Sequence, residues 1–377
     1  MHDHVALLRQ LVSIDSVNPD LVRGGAGEEE IARYVAVWLE QAGLEVEVDE
    51  TVPGRPSVVG VARGSGGGRS LLLNAHMDTV GVTGMERPHK PYVEGDRLYG
   101  RGAYDMKAGM AAIMLTGASA VEEGLRGDVI VTAVADEENA SMGTSSILKR
   151  WTADAAIVTE PTELKVCVAH KGFVWLEAAT IGKAAHGSRP DEGIDAIAKM
   201  GLVLVALEEL DRSLRAQPTH RLLKSGSVHA SLITGGQERS SYPERCVLDI
   251  ERRTVPGETG GTVEAELRGI LDKLAASDPS FRAELRTTLV REPFEVAEDA
   301  EIVRVLRRAA STTLGSEPDI VGETPWMDAA LISAVGIPTV VFGPGGAGAH
   351  ATVEWSDLKQ VAQCVDVLRL TAAEFCK

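Results

Sequence analysis

Cysteine is sparse in this 377-residue chain and ill placed for metal chemistry. Cys167, Cys246, Cys364 and Cys376 form no C-x-x-C pair, which argues against a thiolate metal site and makes reduced, packed thiols the expectation. Aromatic residues are only 4% of the chain, so the core must be built from Ala, Val, Leu and Ile. A basic excess is missing too. The formal net charge of −17 has the wrong sign for nucleic acid or an anionic membrane, and neither is expected as a partner. No apolar run approaches the roughly 18 residues of a membrane span. Arg9 and Gln10 interrupt the N-terminal stretch where a signal peptide needs continuity, so a cytoplasmic setting is expected. What remains, 44% hydrophobic and 25% charged residues, is the composition of a soluble globular protein long enough for two domains.

The order of patterns predicts how those domains are arranged. Residues 28–42 place Ile31, Tyr34, Val35, Trp38 and Leu39 on one helical face, with acidic residues in the first turn and Gly43 after the end. Apolar runs at 70–78, 128–138 and 155–161 then alternate with helical patterns at 105–124 and after Met142, which predicts an α/β fold with a largely parallel sheet. After Gly172 the order becomes β-α-β-β-α-β, a ferredoxin-like arrangement. From about 293 the αβ alternation resumes and ends in a long helix. The expected organisation is a larger domain in two parts, 1–172 and 292–377, with an inserted domain at 173–291.

Ligand-type side chains gather where the larger domain's strands end. His76 and Asp78 close one strand, Asp105 opens a helix, Glu137 and Glu138 close the next strand, Glu160 another, and His350 follows the last. Ligands of an open parallel sheet bind outside the carboxyl ends of its strands. Residues i and i+2 of a strand share a side, so Asp78 is expected to hydrogen-bond His76 and fix its tautomer. Imidazoles and carboxylates in this ratio suit Zn²⁺ or its first-row neighbours, with a bridged pair roughly 3.5–4 Å apart activating one water. The segment AVADEENA (133–140) raises a separate question, since Asp136, Glu137 and Glu138 would repel one another without a positive partner. Taken singly, H-x-D is common, a Glu-Glu pair is usually a solvated turn, and GPGGAGAH lacks the Lys-Ser/Thr of a phosphate loop.

The phrases NAHMDTV, GRGAYDMKAG, ADEENAS, TEPT and FGPG…AH, in that order, resemble the M20 family of metallopeptidases and deacylases. The resemblance spans nearly the whole chain. It implies a two-metal catalytic domain, holding two Zn²⁺ or Co²⁺, and an inserted lid that often forms a homodimer. It also implies His76, Asp105, Glu138, Glu160 and His350 as ligands, with Asp105 bridging and followed by a cis peptide. Glu137 would be the general base and Asp78 the partner of His76. GKAAHGSRPDEG resembles the segment whose histidine, here His186, supports the oxyanion. ERRTVPGE resembles the segment whose arginine, here Arg253, binds a substrate carboxylate, with Arg252 as the alternative. Ser240 stands where many relatives have Asn, in the substrate-binding region. His2, His4, His89, His220 and His229 read as surface or structural.

The expected activity is removal of an acetyl- or succinyl-like group from an amino acid, resembling acetylornithine deacetylase. The rivals are an exopeptidase or dipeptidase acting on short peptides, a non-hydrolytic metal-binding homologue and, more remotely, a two-metal phosphoesterase.

Overall fold

The structure, a computed structural model, describes residues 3–377, so His2 lies outside it. The chain divides into two compact units. One runs up to Val168 and adds Val296–Val321 and Met327–Lys377; the other is Ala169–Glu295 with Gly322–Trp326. The second unit is thus wider than the 173–291 segment that the sequence pattern marks out.

The first unit is built on a sheet ordered Glu45–Asp49, Ser57–Ala62, Val129–Val134, Leu71–His76, Ala155–Val158, Thr339–Val341, Val166–His170. Its four central strands, Val129–Val134 to Thr339–Val341, are parallel. The flanking strands run antiparallel. Strands 71–76 and 129–134 are buried at every position, the unbroken apolar signature of a sheet covered on both faces. One cover is the helix Lys107–Glu123, buried from Lys107 to Ala120. With few aromatics available, close approach of small residues does the packing. A Cβ on Gly109 would lie 2.1 Å from the Thr159 carbonyl oxygen, so only glycine lets this helix pass under the strand end that leads to Glu160. The helix Glu29–Gln41 buries Ile31, Ala32, Val35, Ala36 and Leu39, while Tyr34 and Trp38 stay half-exposed. All four cysteines are buried and none is in a disulfide.

A small antiparallel sheet, ordered Gly346–Ala347, Trp355–Asp357, Arg97–Tyr99, Tyr92–Glu94, joins the loop ahead of Asp105 to the loop that carries His350. Strands of two and three residues leave no periodicity to read.

The second unit is one antiparallel sheet ordered Ser227–Gly235, Arg245–Thr254, Gly172–Ile181, Ala283–Arg291. The helices Ala196–Ala216 and Gly260–Ser277 bury Met200, Val203, Leu207, Val263 and Leu267 against Val174, Leu176, Leu248 and Ile250 on one face. This is the expected β-α-β-β-α-β order. The edge strand 227–235 is exposed from His229 onward, with Leu232 and Ile233 open to solvent.

Candidate metal centre

His76 ends a buried strand, Glu137, Glu138 and Glu160 follow just after two others, Asp105 lies in the turn before the helix Lys107–Glu123, and His350 lies in an exposed turn beyond Gly346–Ala347. His76 ends its strand at 1% exposure. Its Nε2 lies 3.3 Å from Asp105 Oδ1, 3.6 Å from Glu160 Oε1 and 4.0 Å from Glu137 Oε2. His350 reaches Asp105 Oδ2 at 3.4 Å and Glu138 Oε2 at 3.1 Å through its own Nε2. Asp105 therefore approaches the two imidazoles with different oxygens, an arrangement in which one carboxylate can span two ions. The peptide bond Asp105–Met106 is cis. Ligand atoms of His76, Glu137 and Glu160 lie within 4.8 Å of one another, as do those of His76, Asp105 and Glu138.

Asp78 acts differently from the expectation. The strand stops at His76, and the ring Nδ1 bonds the Asp78 carbonyl oxygen at 2.9 Å, with the carboxylate at 3.6 Å. A carbonyl only accepts, so Nδ1 carries the proton and Nε2 is the atom left for a metal. The Asp78 carboxylate instead accepts from the backbone N–H of Glu137 at 3.0 Å, from that of Glu138 at 3.2 Å, and from Asn18 Nδ2 at 2.8 Å. Asp78 thus orients the imidazole through its backbone carbonyl and the acidic turn through its carboxylate.

The positive partner of AVADEENA is Arg55. Its guanidinium donates to Asp136 Oδ1 at 3.1 Å and to Glu28 at 2.6 and 2.7 Å, and pairs with Asp20. Asn18 Nδ2 also donates to Asp136 at 2.9 Å. Asp136 is fully buried with φ 67°, and its carbonyl accepts from Ser141 N at 2.5 Å. The left-handed residue turns the chain between strand and helix, so Glu137 and Glu138 leave the regular alternation of a strand. Sequence reasoning missed Arg55 and Asn18 because neither belongs to a ligand motif.

It missed Glu354 as well. This buried carboxylate accepts from the amides of Gly102, Tyr104 and Asp105 at 3.0, 2.9 and 3.1 Å and from Arg101 at 2.6 Å. Arg101 in turn donates to the carbonyl oxygens of Gly81 and Ala351 at 3.1 and 2.9 Å. One ion pair thereby ties the Asp105 loop to the His350 loop.

The electrostatics are those of a site built around a cation. Burial holds the Glu137 carboxyl well above its usual range, with the Glu160 charge adding to the effect. Burial likewise lifts Glu160 to about 8. The carboxylates of Asp105 and Glu138 raise His350 to about 10. Burial opposes a proton on His76, but Asp105 and Asp78 outweigh it and hold that imidazole well above the ordinary value. His76 Nε2 and Glu138 Oε1 are buried without a hydrogen-bond partner. Unpaired buried polar atoms are unfavourable, and here they converge on the positions a dication would fill, so the donor set fits metal.

His186, Ser240 and Arg253 belong to the second unit. The backbone brings the first two together, since Gly187 N donates to the Ser240 carbonyl oxygen at 2.7 Å. His186 is exposed, with Nδ1 2.8 Å from Ser188 Oγ. Arg253 is half-buried, paired with Glu251 at 2.6 Å, its guanidinium 5.1 Å from the Phe173 ring centroid. Arg252 is 2% exposed and committed to Glu258 and Glu266 at 2.7 and 3.1 Å, which assigns it to the unit's own packing rather than to a ligand. His220 and His89 meet Glu295 at 3.1 Å and Asp15 at 3.4 Å, as structural residues do.

The sequence profile of Peptidase family M20/M25/M40 matches residues 72–374. An acetylornithine deacetylase from Myxococcus xanthus is 31% identical, covering 98% of this chain and 97% of its own. An N-formyl-4-amino-5-aminomethyl-2-methylpyrimidine deformylase from Halalkalibacterium halodurans is 26% identical over 99% of this chain and 94% of its own. Among solved structures, aminopeptidase PepT from Bacillus cereus superposes with a TM-score of 0.81 at 20% identity, over 99% of this chain and 98% of that one. A dinuclear metal-binding peptidase from Bacillus subtilis does so at 0.77 and 17%, over 99% and 97%.

Proposed function

Because the chain belongs to peptidase family M20/M25/M40, as a metal-dependent hydrolase of amide or peptide bonds, we propose that it removes an N-acyl group, acetyl- or succinyl-like, from an amino acid. The observation that carries the reading is the double approach of Asp105 to His76 and His350, with Glu137 beside the cluster. His76, Asp105 and Glu160 would hold one ion and His350, Asp105 and Glu138 the other, Zn²⁺ or Co²⁺. Such a pair supplies Lewis acidity to the acyl carbonyl and lowers the pKa of a water. Glu137, buried and with raised proton affinity, takes a proton from the attacking water and delivers it to the leaving amine nitrogen. The carboxylates of Asp78 and Glu354 keep base and ligands in register from behind. In the second unit, His186 donates to the oxyanion of the tetrahedral intermediate, Arg253 binds the substrate carboxylate and Ser240 contacts substrate.

The deacetylase relative is 31% identical over almost the full length, which supports the N-acyl amino acid as substrate class. Turnover of N-acetyl, N-succinyl and N-formyl amino acids, compared with dipeptides at saturating Zn²⁺ or Co²⁺, is the test. Preference for an N-acyl amino acid is expected, and preference for dipeptides would assign the chain to the exopeptidases instead.

We propose further that two copies pair through the edge strand Ser227–Gly235. Its exposed Leu232 and Ile233 and its unpaired outer edge are what a continuous sheet between subunits would cover.

A further inference from the structure

One buried carboxylate of the first unit has no part in the two-metal reading, on which the following rests. Asp328 precedes the short helix Ala329–Ala334 and is 1% exposed, yet its side chain does not cap that helix. Its Oδ2 accepts from the Thr144 hydroxyl at 2.5 Å. Its Oδ1 is buried with no hydrogen-bond partner of good geometry, although the Ser141 hydroxyl lies close enough to favour its charge. Thr144 lies on the helix Met142–Ile147, which follows directly on the turn carrying Glu137 and Glu138. Asp328 also lies within electrostatic reach of the cluster, with Glu137, Glu160, His76 and Asp78 among the charges it meets. A buried carboxylate with no ion-pair partner, close to other acids, destabilises a fold on its own. A dication among them reverses the sign of that energy, because each added negative charge then attracts.

We infer that Asp328 is a positioning residue of the metal centre. Its charge tightens the hold on the ion beside His76 and Glu160, and its bond to Thr144 clamps the turn that presents Glu137 and Glu138. The two contributions separate by substitution. Asp328→Asn keeps an acceptor for Thr144 and removes the charge, whereas Thr144→Val keeps the charge and removes the bond.

The test is Zn²⁺ titration of the metal-stripped full chain by chelator competition, with turnover and metal-free thermal unfolding measured alongside. Wild type should take up two equivalents. Asp328→Asn should melt like wild type without metal and bind one equivalent roughly 10- to 100-fold more weakly, with kcat recovering at saturating Zn²⁺. Thr144→Val should keep both affinities but show a lowered kcat that excess Zn²⁺ does not restore. Should Asp328→Asn fail to fold, Asp328→Ser removes the same charge and leaves a hydroxyl for Thr144. Unchanged Zn²⁺ affinity in the charge-removing variant overturns the charge role, and unchanged kcat in Thr144→Val overturns the clamp. Fewer than two equivalents on wild type would instead count against the two-metal reading itself.

Discussion

Arg55 is the residue that lets three acids follow one another at 136–138. It neutralises Asp136 and Glu28 where water cannot, so Glu137 and Glu138 are free to turn towards the ligand cluster. Removing one partner of a buried ion pair leaves an uncompensated charge and costs about 3–5 kcal/mol. Arg55→Met is expected to lose stability of that order in denaturant unfolding of the metal-free protein. Asp78→Asn should weaken metal binding by roughly 10- to 100-fold in a chelator competition, because the amide cannot accept from both turn N–H groups and Asn18 at once. The candidate side chains and their order along the chain were visible in the sequence, while their roles came only with the family resemblance. Arg55 and Asn18 were not visible, because their link to Asp136 is made only by the folded chain, across 81 and 118 residues.

At the scale of elements, the loops of Asp105 and His350 are held by Glu354 and by the small sheet rather than by the main one. Glu354→Ala frees three loop amides and strands Arg101, so both metal equivalents should bind more weakly and the melting temperature should fall; calorimetry and thermal unfolding check this. The edge strand makes a separate expectation. Leu232→Lys places a charge on the surface proposed to pair and should shift sedimentation from dimer to monomer without unfolding the unit, whose core lies on the helix-covered face. Long elements were legible because burial imposes a period: the alternation in 172–181 and the apolar run at 71–76 both show which faces are covered. The antiparallel flanks of the main sheet and the short strands at 346–347 and 355–357 were not, since strand direction depends on connections the local pattern does not encode.

For the whole molecule, charge balance couples metal, protons and stability. Burial lifts Glu160 from 4.5 to about 8 and Asp328 from 3.8 to about 6, and neighbouring carboxylates lift His350 from 6.5 to about 10. In each case the folded chain binds more protons than the unfolded one between the two values, so this stability is present at low pH and lost as pH rises. The metal-free protein should therefore melt at lower temperature at pH 9 than at pH 6. Asp105 and Asp78, held low by histidines that outweigh burial, contribute with the opposite sign on the acid side. Lys107, lowered by burial from 10.5 to about 7, does so above pH 7 but is outnumbered by the raised groups. Zn²⁺ displaces the same protons, so its affinity should rise with pH and flatten that decline.

The most direct test of the proposed chemistry is Glu137→Ala, assayed on the best N-acyl amino acid with metal content measured on the same sample. A general base beside a two-metal centre predicts two retained equivalents and a kcat reduced by about 10²–10⁴-fold. Turnover within a few-fold of wild type would contradict the role of Glu137, and loss of one equivalent would make it a ligand instead.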